Sequence, residues 1–242
     1  ATGTSAGVNV IGNNTLAIGT STGQNVTGDD NTATGYLTGQ NVTGNGNIAY
    51  GRSVGVSVTG DYNTAYGYGS GASIKGDQNT GIGDGATQVV TGAGNLGLGS
   101  FAARFVSGNY NSASGVFAGN SVTGNSNIAS GFSAGVNVVG DQNVGIGYFD
   151  GLSVSGSSNT AVGDSAGQSV TGSNNSAFGA YAGRSVSGDY NLGTGRGAGT
   201  IVVGTANVAS GWRAGQTVTG NNNIATGTSA GVNVIGNNTL AI

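Results

Sequence analysis

The composition of this 242-residue chain excludes several classes of protein. Fifty-two residues are glycine, and cysteine, histidine, methionine, proline and glutamate are absent, so the chain offers no disulfide, no thiolate or imidazole metal ligand and few groups for acid–base catalysis. A formal net charge of −3 excludes an electrostatic nucleic-acid surface, and no apolar run approaches the roughly 18 residues that span a membrane.

A sixteen-residue repeat runs through the chain without insertion or deletion. Glycine occupies every sixteenth residue from Gly3 to Gly227 and again from Gly12 to Gly236. Such a fixed short period is typical of a solenoid, because one extra residue would put every later side chain out of register with its stack. The sequence therefore predicts an all-β protein, a parallel β-solenoid in the form of a flattened two-sided roll. It would hold one repeat per coil and about 15 coils, continuous over residues 1–242.

Each repeat, numbered here from repeat position 1 at Asn31, predicts two short strands and two glycine corners. The first strand covers repeat positions 2–4 and has Ala or Gly at its centre, as in Ala33 and Gly81. Corner glycines follow at positions 5, 9 and 14, where tight turns need positive φ angles. The second strand has a β-branched residue at position 12, flanked by polar residues, which indicates an inward-facing side chain. The predicted core residues are Val26, Val42, Val58, Ile74, Val90, Val106, Val122, Val138, Val154, Val170, Val186, Val202 and Val218.

Asparagine holds repeat position 1 in every coil except those at the two ends, where Thr15 and Thr239 stand. Because parallel coils stack about 4.8 Å apart, each amide can donate a hydrogen bond to the next coil and form a ladder. The predicted ladder comprises Asn31, Asn47, Asn63, Asn79, Asn95, Asn111, Asn127, Asn143, Asn159, Asn175, Asn191, Asn207 and Asn223. The alternative, that these asparagines bind a ligand, stays open.

Repeat positions 2 and 4 predict an apolar stripe along one outer face. If position 3 faces inwards, positions 2 and 4 face outwards, and a long exposed apolar stripe marks an interaction surface. The candidate interface residues are Ile48, Tyr50, Leu96, Leu98, Val144, Ile146 and Phe178. The alternative, with the roll turned inside out, would bury hydroxyl pairs such as Thr32 with Thr34, which is costly.

Aromatic residues gather at the corner after the first strand. They either shield the glycine-rich corner and pack against a neighbouring chain, or form a platform on which sugars stack. We expect Arg52 to lie between Tyr36 and Tyr68, and Arg196 to lie on Trp212, as cation–π pairs.

Most aspartates follow the glycine at position 14, as in ordinary turns, and Asp61 and Asp77 should stack directly, which costs repulsion or invites a cation. Because the acidic position is not repeated in every coil, no metal site is predicted. Asp150 occupies a position that is usually alanine, and the sequence suggests no reason for it.

The run Asn-Thr-Ala-Val-Gly-Asp-Ser-Ala-Gly at residues 159–167 resembles the head repeats of trimeric autotransporter adhesins and related phage-fibre repeats. The resemblance implies a left-handed parallel β-roll, trimer formation and a place in a bacterial or phage surface fibre. The repeat here is longer than is usual in that family, and the given sequence shows no neck, coiled-coil stalk or membrane anchor.

The function predicted from these observations is a non-enzymatic structural protein, without catalytic, cofactor-binding or metal-binding residues. It would form an extracellular surface fibre, filament or adhesin shaft by end-to-end and lateral association with itself. A carbohydrate-binding adhesin that uses the corner aromatics and surface glycans, and an ice-binding solenoid with rows of threonine, are the alternatives. Residues 1–18 are identical to residues 225–242, so we expect a window on a longer array, uncapped at both ends.

Overall fold

The structure is a computed structural model that describes residues 1–242 and contains strands and turns but no helix. The chain forms two compact units, Ala1–Val122 and Thr123–Ile242, which are described separately. Each unit consists of parallel strands paired at intervals of sixteen residues, so the predicted all-β parallel β-solenoid is confirmed. That one solenoid continues over residues 1–242 stays a prediction.

In the first unit the strands alternate along the chain between two sheets, which we call the alanine sheet and the valine sheet after their buried residues. The valine sheet holds β1 (Val10–Ile11), β3 (Val26–Thr27), β5 (Val42–Thr43), β7 (Ser57–Thr59), β9 (Ser73–Lys75), β11 (Val89–Thr91) and β13 (Phe105–Ser107). The alanine sheet holds β2 (Leu16–Thr20), β4 (Thr32–Tyr36), β6 (Ile48–Arg52), β8 (Thr64–Tyr68), β10 (Thr80–Ile82), β12 (Leu96–Leu98) and β14 (Ser112–Ser114).

The second unit repeats this arrangement, and β15 (Val122–Thr123) spans the boundary between the units. Its valine sheet holds β17 (Val138–Val139), β19 (Val154–Ser155), β21 (Val170–Thr171), β23 (Ser185–Ser187), β25 (Ile201–Val203), β27 (Thr217–Thr219) and β29 (Asn233–Ile235). Its alanine sheet holds β16 (Ile128–Ser130), β18 (Val144–Tyr148), β20 (Thr160–Asp164), β22 (Ser176–Phe178), β24 (Leu192–Thr194), β26 (Val208–Ser210), β28 (Ile224–Thr226) and β30 (Leu240–Ala241).

Strand pairing places each residue beside its equivalent in the next coil. In the alanine sheet Thr32 pairs with Ile48 and Ala33 with Ala49. In the valine sheet Val58 pairs with Ile74. Because side chains alternate across a strand, the central residue is buried and its two neighbours face solvent, as they do in β7 and β12. The predicted core residues of repeat position 12 are all buried.

A third buried row, at repeat position 8, was missed by the sequence analysis. It lies at the corner after the alanine sheet and includes Thr38, Val54, Ala102 and Asp150, all with no exposed surface. Val54 packs against Ala49 and Ala65 of the alanine sheet, whereas Val26, Val42, Val58 and Ile74 form a cluster of their own. The small residue of the first strand therefore packs against the corner as well as facing the valine row.

The corners depend on glycine where coils come closest. Gly35 has a φ angle of +137°, and a Cβ atom there would overlap the carbonyl oxygen of Gly51 in the next coil. An L side chain at this position would therefore force adjacent coils apart. Other corner positions carry side chains at positive φ, among them Phe101 at +55° and Asn25 at +51°. Glycine thus supplies only part of the left-handed backbone that the sequence analysis assigned to it.

Candidate functional site

The asparagines of repeat position 1 lie inside the roll, and all thirteen predicted ladder residues are buried. The Nδ2 group of Asn63 donates to Oδ1 of Asn47 at 3.0 Å and to the carbonyl of Gly76 at 2.9 Å. Its own Oδ1 accepts from the backbone N–H and the side chain of Asn79, both at 3.0 Å. One hydrogen of the amide thus bonds to the preceding coil, and the other bonds to a carbonyl thirteen residues ahead, in the direction of the next coil that the sequence analysis expected. Every polar atom of this side chain is engaged, so nothing is left to bind a ligand.

A second ladder runs along the same corner, at repeat position 15. The backbone N–H of Asn45 donates to Oδ1 of Asp61 at 2.7 Å, and the N–H of Asp61 donates to Oδ1 of Asp77 at 2.8 Å. A backbone donor therefore links Asp61 to Asp77, where the sequence analysis expected repulsion or a bound cation. No group of three or more acidic, histidine or cysteine residues that could hold a metal ion occurs in the structure.

The outer face of the alanine sheet carries the predicted apolar stripe. Ile48, Tyr50, Leu98, Ile146 and Phe178 are exposed, with Tyr50 at 48% and Leu98 at 36%. The two other candidate interface residues, Leu96 and Val144, are half-buried. Tyr50 stacks on Tyr66 with ring centroids 4.9 Å apart. No charged residue occurs at repeat positions 2 and 4 of either unit, so the stripe offers only apolar, hydroxyl and phenol groups to a partner.

The aromatic corner forms columns parallel to the stacking direction. The Arg52 guanidinium lies 5.5 Å from the Tyr36 ring and 5.6 Å from the Tyr68 ring, as expected. The expected pair of Arg196 with Trp212 was wrong, because Arg213 lies over the Trp212 ring, at 5.5 Å. A residue adjacent in sequence reaches that ring more readily than one in the neighbouring coil.

Ring geometry bears on the sugar-platform hypothesis. Phe101 and Phe117 stack at 5.2 Å, and Phe132 and Tyr148 stack at 5.4 Å, with planes tilted by 10° and 19°. Within these pairs the ring faces are turned towards each other, and sugar stacking requires a free ring face. The columns therefore offer mainly ring edges to solvent, which suits packing against another surface better than binding a sugar.

Asp150 is fully buried at repeat position 8. Its Oδ1 accepts from the backbone N–H of Ala166 at 2.7 Å, and its Oδ2 accepts from the N–H of Gly163. Burial raises the pKa of this carboxyl above its ordinary value of 3.8, the two backbone hydrogen bonds lower it, and the nearby Asp164 raises it further. Thr38, at the same repeat position, also reaches the next coil, by donating to Gly51. Asp150 therefore joins two coils, as Thr38 does at the same repeat position in another coil.

Comparisons of the chain with protein-family models, curated proteins and solved structures found no match. No helix in the structure is long and apolar enough to cross a membrane. The fold and its surfaces define a β-solenoid repeat protein, and the resemblance to adhesin head repeats stays a prediction from the sequence.

Proposed function

We propose that this chain is a non-enzymatic structural protein, a shaft segment of an extracellular bacterial or phage surface fibre whose copies associate with one another. The observation that carries the proposal is the uncharged outer face of the alanine sheet, with Leu98, Tyr50 and Ile146 exposed along it. Monomeric soluble proteins rarely leave large contiguous apolar surfaces open to water, so such a face favours a partner.

The interior of the roll supports a mechanical role. Each coil buries one valine or isoleucine and several small side chains, so apolar burial alone contributes little per coil. Hydrogen bonds between coils, in both sheets and in the two side-chain ladders, join each repeat to the next. Bonds that recur at every coil resist bending and stretching in the same way along a solenoid. Further burial between chains would add cohesion that the narrow core lacks.

Lateral association can be tested on the first unit's stripe within the full chain. The paired substitution Leu96→Ser and Leu98→Ser should weaken higher-order assembly in electron micrographs and light scattering, and should leave the β signal in circular dichroism unchanged. Val89→Ser is the matched control, since Val89 is similarly exposed on the valine sheet. If the stripe substitutions leave assembly as strong as in the unchanged chain, or if the unchanged chain remains a single particle at high concentration, the proposal is wrong.

Two further measurements separate this proposal from its alternatives. Thermal hysteresis would favour the ice-binding hypothesis, and selective retention on a glycan array would favour the carbohydrate-binding one. We expect neither from the chain. Imaging also distinguishes a trimer from a single-ribbon filament, because three-fold particles and extended ribbons differ in outline.

A further inference from the structure

In each unit the charged residues lie at the two edges of the roll, except Lys75, which lies on the valine sheet of the first unit. The edge formed by repeat positions 6–10, which we call the arginine edge, carries Arg52, Arg104, Arg184, Arg196 and Arg213. The edge formed by repeat positions 15 and 16, which we call the aspartate edge, carries Asp29, Asp30, Asp61, Asp77, Asp141 and Asp189 and no basic residue. The arginine edge also holds two exposed aspartates, Asp84 and Asp164, so its charge remains positive.

Neither set of charges is neutralised within its own unit. The Arg104 guanidinium lies 5.1 Å from the Phe101 ring, and its Nε donates to Gln88 at 2.6 Å. Arg52 lies between two tyrosine rings. On the opposite edge Asp29 and Asp77 use Oδ1 for backbone N–H groups. The terminal guanidinium nitrogens and the Oδ2 atoms are therefore left for a partner outside the unit.

Exposed aromatic rings accompany the charges on both edges. Tyr62 and Tyr190 each follow an aspartate of the aspartate edge, and both are 63% exposed. Tyr68 and Trp212 are exposed on the arginine edge. Arginine stacks on aromatic faces as readily as it pairs with carboxylates, so one edge carries groups that bind both kinds of group on the other.

In the first unit the spacings of the two edges also match. Arg52 and Arg104 lie 52 residues apart, slightly more than three coils, and Asp29 and Asp77 lie 48 residues or three coils apart. At about 4.8 Å per coil, both separations are on the order of 14 Å along the axis. A single axial displacement between two parallel copies therefore brings Arg52 towards Asp29 and Arg104 towards Asp77 together.

We propose that the arginine edge of one copy binds the aspartate edge of a second copy, side by side and with parallel axes. The proposal rests on the self-association of the proposed function and names a second contact for it, distinct from the stripe. Because the two surfaces in contact differ, each added copy exposes a fresh edge, and the assembly grows into a flat sheet. Exposed ion pairs contribute little individually, so they set partner and register while the aromatic rings supply apolar contact.

The test uses two charge-reversed forms of the full chain. The first carries Arg52→Asp and Arg104→Asp, which makes the arginine edge of the first unit acidic, and the second carries Asp29→Arg and Asp77→Arg, which places basic groups at the two matched positions of its aspartate edge. Each form alone should associate more weakly, with an apparent Kd raised at least about tenfold in analytical ultracentrifugation. An equimolar mixture should regain the original affinity, since the new carboxylates of the first form then meet the new guanidinium groups of the second. Association of the unchanged chain should weaken between low and high salt, because salt screens exposed charges.

A neutral variant serves as the control for misfolding of the charge-reversed forms. Asp29→Asn and Asp77→Asn keep the side-chain acceptor that Asn45 natively supplies at this position, and should weaken association without altering circular dichroism. Charge-reversed forms that assemble as well as the unchanged chain overturn the edge proposal, as does a mixture of folded forms that stays apart. So does tighter binding of soluble polyglutamate than of a second copy. If the stripe variant associates more weakly but the charge-reversed forms do not, the edge proposal fails and the proposed function stands. If the unchanged chain never associates, both proposals fail.

Discussion

We expect the double substitution Gly81→Ala with Thr87→Gly to stabilise the first unit, although Gly81→Ala alone should destabilise it. In an ordinary coil the Cβ atom of Ala65 lies 2.8 Å from the point where a Cβ on Gly71 would stand, so only one of the two positions can carry a side chain. In the next coil the corner position carries the side chain and the strand position is glycine. Gly81 stands on the strand, and the space that its Cβ would occupy holds Oγ1 of Thr87.

The magnitudes follow from the surroundings of Thr87. This buried β-branched residue has a φ angle of +47°, a conformation that costs about 1–3 kcal/mol. Its Oγ1 has no hydrogen-bond partner, which costs about 1–3 kcal/mol more. The double substitution removes both costs, and the methyl of the new alanine replaces part of the lost packing, worth roughly 0.8 kcal/mol per carbon. The new methyl also lies 2.8 Å from Oγ of Ser70, which must move slightly, so we expect a net gain of about 1–2 kcal/mol.

For Gly81→Ala alone, the new methyl would overlap Oγ1 of Thr87 and lie 2.8 Å from Oγ of Ser70. Overpacking of this kind costs about 1–3 kcal/mol. Urea unfolding of the full chain, with hydrogen exchange over residues 79–94 to locate the effect, gives the double-mutant cycle. Thr91→Ser, at an exposed residue of the same coil, is the control and should change stability by less than about 0.5 kcal/mol. A coupling energy below about 0.5 kcal/mol would refute the reasoning.

Three further substitutions test the interior. Val58→Asp should cost several kcal/mol and open a protease site in β7, whereas Thr59→Asp on the outer face of the same strand should not. Asn63→Ala should cost about 2–4 kcal/mol in urea unfolding, because it leaves the carbonyl of Gly76 and the backbone N–H of Asn79 without partners. A loss below about 0.5 kcal/mol would contradict the ladder. Burial raises the pKa of Asp150 in the folded chain. Its contribution to the free energy of unfolding is therefore fully present below the unfolded pKa of 3.8 and is lost as pH rises through the folded pKa. The melting temperature should therefore fall as pH rises through the folded pKa, and Asp150→Ala should make this fall smaller. An unchanged pH profile of the variant would count against this role of Asp150.

What the sequence predicted depended on single repeat positions. The valine row and the asparagine ladder each show one kind of residue at one position, and the strand period of two then fixes which side chains face inwards and which form the outward stripe. Repeat position 8 escaped notice because Thr38, Val54, Ser70 and Asp150 share no common polarity. They share only a small or medium volume, which the corner can enclose.

Features that depend on pairs of positions were also out of reach. The exchange between Gly81 and Thr87 becomes visible only when the strand and its following corner are known to touch. Arg213 lies on Trp212, in place of Arg196, because the direction of a corner side chain depends on its backbone angles. A sixteen-residue alignment of coils shows neither relation, since it compares residues between coils and both contacts lie within one.

In-register stacking also explains why only 6% of the residues are charged. A charged side chain repeated in every coil would face its own kind about 4.8 Å away, at about 1 kcal/mol per pair even in water. Asparagine avoids this because its amide both donates to and accepts from its own kind. Asp61 and Asp77 are the one like-charged pair at the same position of successive coils, and a backbone N–H lies between them. Stacking thus limits how often charges occur, but it does not require arginines on one edge and aspartates on the other. That separation needs another cause, and binding between copies supplies one.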